Sequence, residues 1–216
     1  MNTKRGLRFK IYENIKKKIL YFEYKPGDKL SENEIARGLK ISRTPVREAL
    51  LMLENENLVY CDDRLGFIIR KLSSKEGREY FAIRNVIELF AVPLIIEGIT
   101  LSEMKHLEQN IIEAQAYVEV GDFHNIIRCE TEFHEILYKS TKSEVFFQTI
   151  SGLIDKFQWL RAIALSAVGG ARESLNDHKE MFEALERKDV KKLKRLTKLH
   201  LQHAEKKYAQ MQGVFL

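Results

Sequence analysis

The chain has 216 residues, 44% of them hydrophobic, and carries 36 lysines and arginines against 31 acidic residues, a formal net charge of +5. That is enough apolar material for one large domain or two small ones, while the absence of a long apolar run or of an apolar leader after MNTKRGLRFK argues against a membrane span or signal peptide and for a cytoplasmic protein. Cys61 and Cys129 stand apart and fit no CxxC pattern, which argues against a disulfide framework and a cysteine-based zinc module.

The charge is unevenly placed. Residues 1–70 hold 15 Lys and Arg against 10 Asp and Glu, and the remainder holds 21 of each. A phosphate-binding module joined to a neutral domain gives this asymmetry, as does a solvated basic face. The first predicted helix runs from about Phe9 to Phe22 with Ile11, Ile15, Ile19 and Phe22 inward, and Pro26-Gly27 turns the chain after it. A short helix follows from Ser31, capped through Glu34 and carrying Ile35, Ala36 and Leu39, then a tight turn over Gly38 to Ile41, then a third helix through Arg47 to about Glu56. Leu58-Val59-Tyr60 and Gly66-Phe67-Ile68-Ile69, joined by the polar turn Cys61 to Arg64, read as a hairpin. Helix, helix, turn, helix, hairpin is the order of a winged helix-turn-helix.

Ser42-Arg43-Thr44-Pro45-Val46-Arg47-Glu48-Ala49-Leu50 opens the third helix, where proline is tolerated because its missing N–H has no helical partner. Val46, Ala49, Leu50 and Leu53 share one face and pack inward. Arg43, Thr44 and Arg47 point away from it, where two guanidiniums and a hydroxyl suit a major groove or, equally, a solvated helix face. These residues resemble the GntR superfamily of bacterial regulators, together with Pro26-Gly27, Leu30-Ser31-Glu32, Leu53-Glu54 and Gly66. The resemblance covers about residues 8 to 70. It implies that Arg43, Thr44 and Arg47 contact DNA, that Arg64 and Gly66 belong to a wing along the minor groove, and that Asn33 falls where relatives often place another DNA-contacting side chain.

Beyond residue 72 apolar residues recur at helical spacing, and six helices are predicted at about 74–98, 101–119, 122–139, 142–167, 173–187 and 189–210. Capping boxes mark three starts, Ser73 with Glu76, Thr100 with Glu103 and Thr141 with Glu144, and Asp122, Ser174 and Asp189 mark the others. The expected fold is mainly α, a winged helix-turn-helix over 1–72 and an antiparallel bundle of about six helices over 73–216. Glu130 and His134 share a helical face, and His178 and His200 lie on the last two helices. One carboxylate and three imidazoles can hold zinc, nickel or manganese, although scattered histidines also serve as surface or core residues.

This half is similar to the FCD ligand-binding domain of the FadR subfamily. There an Asp/Asn-x-x-x-His pair and two later histidines hold a metal at the base of a pocket, and Glu130 to His134, Asp177-His178 and Leu199-His200-Leu201 match those positions. The carboxylate departs from the pattern, since glutamate is one methylene longer. Six helices rather than seven favour the metal-dependent VanR-like branch. His203, close to one turn beyond His200, can serve as a substitute ligand but reads rather as outward-facing or as bonded to a ligand's neighbour, and His106 and His124 match no family position. Arg84 and Glu88, one turn apart, can form part of the pocket or an exposed ion pair, the ion pair being favoured for Glu88 and Arg84 kept as a pocket candidate. Trp159 and Arg161 can line the pocket, the arginine suiting a carboxylate, and the tryptophan equally fits core packing.

Together these features predict a transcription regulator, not an enzyme, in which a small organic acid bound at a divalent metal changes operator affinity. The resemblance further implies a homodimer on palindromic operator DNA. A metalloenzyme would use the same Glu/His set, but no nucleophile, paired base or glycine-rich loop accompanies it. A DNA-binding protein whose bundle only dimerises would bind no metal.

Overall fold

The computed structural model describes residues 3–215, with side chains from 6 to 214. The chain divides between Leu72 and Ser73 into two compact units. In the first, α1 (Thr3–Leu20), β1 (Lys29–Leu30), α2 (Glu32–Leu39), α3 (Arg43–Asn55), β2 (Val59–Asp62) and β3 (Gly66–Ile69) follow in order. Ile11, Ile15 and Ile19 form a buried stripe along α1, and Val46, Ala49, Leu50 and Leu53 are fully buried on α3, so the two helices pack on these faces. Ser31 caps α2 by accepting from the Glu34 amide, and Lys40, in the left-handed region at φ 55°, closes it where glycine is usual.

The hairpin has a third strand that its sequence does not announce. Antiparallel β1 pairs with β3, Leu30 opposite Phe67, giving the sheet order β1-β3-β2. Two residues are too few to show the period of a strand. The pairing is fastened from the turn, where the Gly27 amide donates to the Ile69 carbonyl and the Ile69 amide to Asp28.

The second unit is a bundle of α4 (Ser74–Gly98), α5 (Leu101–Val120), α6 (Phe123–Ser140), α7 (Glu144–Ile150), α8 (Ile154–Ser166), α9 (Gly170–Glu186) and α10 (Val190–Phe215). Complete capping boxes start α4 and α5, and the Asp122 carboxylate caps α6. Three expectations need correction. The segment 142–167 is two helices, broken at Ser151 to Leu153, where Gly152 lowers helix propensity; with seven helices, the count no longer favours the VanR-like branch. Thr141 caps no helix start, because its hydroxyl donates to the Tyr138 carbonyl at the end of α6 and Ser143 caps α7. α9 starts one turn before Ser174, at Gly170.

Apolar residues from six of these helices, among them Ala91, Leu107, Phe133, Phe146, Leu175 and Leu193, form one core. Gly98 lets α4 and α6 approach at their ends: a Cβ there would lie 2.2 Å from the Ser140 carbonyl oxygen. This closeness sets the α4 side chains against those of α6.

Candidate metal centre and nucleic-acid interface

α3 presents Arg43 and Arg47 from its first turns, both exposed alongside its buried face, with Thr44 exposed as well. Glu32, the first residue of α2, links both arginines: Arg43 Nη2 donates to Oε2 and Arg47 Nη1 to Oε1, each at 3.1 Å. Asn33 is exposed next to it. Between β2 and β3 the Asp62 carboxylate accepts from the amides of Arg64 and Leu65, which holds its pKa below the usual carboxylate range. The turn leaves Arg64 exposed at the wing tip, and Gly66 takes a positive φ of 80° on entering β3.

In the bundle, Glu130 and His134 from α6, His178 from α9 and His200 from α10 converge, with one ligand atom of each lying within 4.8 Å of all the others. All four are buried. The Nε2 atoms of His134 and His178 are each 3.6 Å from Glu130 Oε1. Phe133 stacks flat on His178 at 3.7 Å between ring centroids, fixing that ring from behind. Ser174, one turn before His178, shares its hydroxyl hydrogen between both Glu130 oxygens at 2.9 and 3.0 Å. Asp177 bonds His200 Nδ1 at 3.3 Å and His203 Nδ1 at 3.0 Å. Burial works against the Asp177 charge, but the two histidines outweigh it and hold the carboxyl below its ordinary range.

Chemically the set suits a cation. Burial first, then neighbouring cationic groups, push His134 and His178 well below the ordinary imidazole value, so both rings are neutral with a lone pair to offer. The Nε2 atoms of His178 and His200 are buried without a hydrogen-bond partner among the described residues. Orphaned buried nitrogens of this kind fit a divalent ion, and with Asp177 holding Nδ1 of His200 its Nε2 is left as the donor. His134 Nε2 lies 3.3 Å from Arg84 Nη2. Because a guanidinium only donates, this nitrogen is the acceptor and carries the ring's lone pair.

Two pockets flank the cluster. One is lined by Glu130, Arg161, Ser174, Asp177, His200 and Lys207. The other is lined by Glu88, Val92, His134, Tyr138, Met181 and Leu193. Arg161 is buried, with Nε and Nη1 lacking a hydrogen-bond partner among the described residues. Trp159 is fully buried and is not among the residues lining these two pockets. The expectation of an exposed Arg84 and Glu88 pair is overturned: Arg84 is 0% and Glu88 5% exposed, with Arg84 Nε 2.7 Å from Glu88 Oε1. Their face of α4 turns into the bundle, where Tyr138 also donates to Glu88 at 2.6 Å. Burial opposes the Glu88 charge, and Arg84 and Tyr138 more than offset it, leaving its pKa lowered. His203 is partly exposed and reaches the centre only through Asp177.

Sequence reasoning missed Glu32, Tyr138, Ser174 and Asp177 as participants. Asp177 was signalled by adjacency to His178, and Ser174 by lying one helical turn before it.

Fold and sites define a class: a winged helix-turn-helix DNA-binding regulator with an all-helical second domain. Residues 7–69 match the bacterial regulatory proteins of the gntR family and residues 79–203 the FCD domain, and the chain belongs to the GntR family as a member that carries an FCD domain. It is 30% identical over 193 residues to the uncharacterized HTH-type transcriptional regulator YdhC of Bacillus subtilis, covering 89% of this chain and 86% of that one. It is 26% identical to the HTH-type transcriptional repressor RspR of Escherichia coli, over 98% of this chain and 92% of that one. The structure of E. coli McbR/YncC has the same fold, with a TM-score of 0.80 at 24% identity over 98% of this chain and 99% of that one. These relatives and domains are those of transcription regulators, not of enzymes, and the chain is a DNA-binding transcription regulator. Among the described residues no helix is long and apolar enough to cross a membrane.

Proposed function

We propose that operator affinity is set by a small organic acid bound at a divalent metal in the FCD domain. Glu130, His134, His178 and His200 hold the ion, zinc, nickel or manganese, and Asp177 orients His200. When bound, the ion would supply a Lewis acid for a carboxylate oxygen. Arg161 provides the second contact: a buried guanidinium with two unpartnered donors is unfavourable alone and is relieved by an anion. The observation that carries this reading is the convergence of four buried ligand atoms within 4.8 Å beside the unpartnered Arg161 donors. Arg84, whose guanidinium donates to His134 Nε2 in this arrangement, gives that lone pair up when the ion binds and stays paired with Glu88, to which Tyr138 also donates.

On the DNA side Arg43, Thr44 and Arg47 enter the major groove, Arg64 and Gly66 form the wing contact, and Asn33 lies at the edge of this surface. Ile83, Val86 and Phe90, all exposed along one face of α4, support a homodimer, whose twofold axis matches a palindromic operator. The protein acts in the cytoplasm. The effector shifts operator affinity by its differential affinity for two arrangements of the protein.

Elemental analysis after chelator-free purification is expected to find about one divalent ion per chain. Thermal shift with simple carboxylic acids should then find a hit that raises the melting midpoint only in metal-loaded protein and changes operator affinity. Metal-free protein from that preparation would leave a bundle that only dimerises, and equal binding of the acid to stripped, folded protein would give the metal a structural role alone.

A further inference from the structure

The two arginines of α3 carry like charges and long, flexible stems, yet both are tied to one carboxylate. Glu32 takes Arg43 on one oxygen and Arg47 on the other, at 3.1 Å each, and its side chain is only 13% exposed against 64% and 58% for the arginines. Its own backbone is fixed by the Ser31 cap at the start of α2, where the helix dipole favours a negative charge. Exposed ion pairs of this kind add little to stability. Their effect here is on the arginines: each guanidinium gives up one N–H direction and keeps the rest of its five donors for another partner. Side chains held in this way lose less freedom when they dock. One carboxylate also cancels one of the two positive charges, which weakens attraction to any phosphate backbone regardless of sequence.

We propose that Glu32 is a positioning residue for sequence discrimination: it presents Arg43 and Arg47 as a preset fork to base edges and restrains their attachment to phosphate. This rests on the reading that Arg43 and Arg47 contact DNA. The probes are a duplex enriched by the wild-type protein from a random-sequence pool and a scrambled duplex of equal length, titrated with the full chain at fixed salt. Glu32→Gln is expected to bind the scrambled duplex more tightly and the enriched duplex no more tightly, so that their affinity ratio falls at least about tenfold. Glu32→Asp keeps the charge but is a methylene too short to span both arginines; its ratio falls as well, with scrambled-duplex affinity unchanged. Melting midpoints of both variants are expected to equal the wild type, which separates positioning from folding, and if Glu32→Gln is destabilised, Glu32→Asp carries the test. A wild-type ratio in both variants, or in Glu32→Asp alone, overturns the proposal, the latter by showing that charge suffices. If the wild type enriches no sequence, the reading of Arg43 and Arg47 falls first and the proposal with it.

Discussion

A glutamate organises a pair of basic side chains in each half of the molecule, and the two settings differ in exposure. Glu32 holds Arg43 and Arg47 at the surface, where water screens the charges and the guanidiniums stay available. Glu130 lies between His134 and His178 inside the bundle, where burial keeps both imidazoles neutral. A glutamate between two basic side chains therefore yields an outward-facing set of charged donors in one place and an inward-facing set of lone pairs in the other. Residue type and burial decide together, since arginine keeps its charge even where Arg84 is buried and the imidazoles give theirs up.

The sharpest way to break this contrast is to unbalance the buried charges. Glu88→Ala leaves the Arg84 guanidinium uncompensated, and a loss of about 3–5 kcal/mol of unfolding free energy is expected by urea denaturation; a loss below about 1 kcal/mol would mean that water reaches the pair. At the surface, Arg47→Ala should weaken operator binding by about 1–3 kcal/mol while unfolding free energy moves by less than about 0.5 kcal/mol. Equal losses in both quantities would show that Arg47 serves the fold. Asp177→Asn leaves every proposed ligand in place but weakens the acceptor behind His200, so metal affinity should fall about 10–100-fold in a competition titration with a chelating dye. Unchanged affinity would remove Asp177 from the centre. The smallest effect concerns acid. Because the folded-state values of His134 and His178 are lowered, the unfolded chain binds more protons below the ordinary imidazole value of 6.5. Their contribution to stability is therefore present above pH 6.5 and declines as the pH falls below it. Melting curves of metal-free protein on either side of pH 6.5 should show the lower midpoint on the acid side, and a flat profile would contradict neutral buried rings.

Local pattern carried much of the fold. The inward face of α3 follows from a period of 3.6, and the starts of α4 and α5 from reciprocal side-chain caps. What depended on distant partners was not legible: β1 exists because Gly27 and Asp28 reach Ile69, and α7 and α8 read as one helix because a single Gly152 is a weak break. The candidate site divides in the same way. Glu130 and His134 share a face by spacing alone, whereas His178 and His200 join them only through the packing of α6, α9 and α10, which family resemblance supplied and spacing did not. Arg84 and Glu88 were misjudged because an i,i+4 pair of opposite charges usually lies on a wet face, and nothing local announces that Tyr138 will close over it.

The bond from Ser174 to both oxygens of Glu130 spans 44 residues of sequence, and that separation bears on how the site has been inherited. A glutamate at position 130 extends one methylene beyond an aspartate, far enough to meet the Ser174 hydroxyl. In a lineage where a shorter aspartate or asparagine stands there, the hydroxyl has no acceptor and selection has no reason to keep it. The two positions are therefore expected to change together over descent, glutamate travelling with serine or threonine and the shorter side chains with any small residue that fits α9.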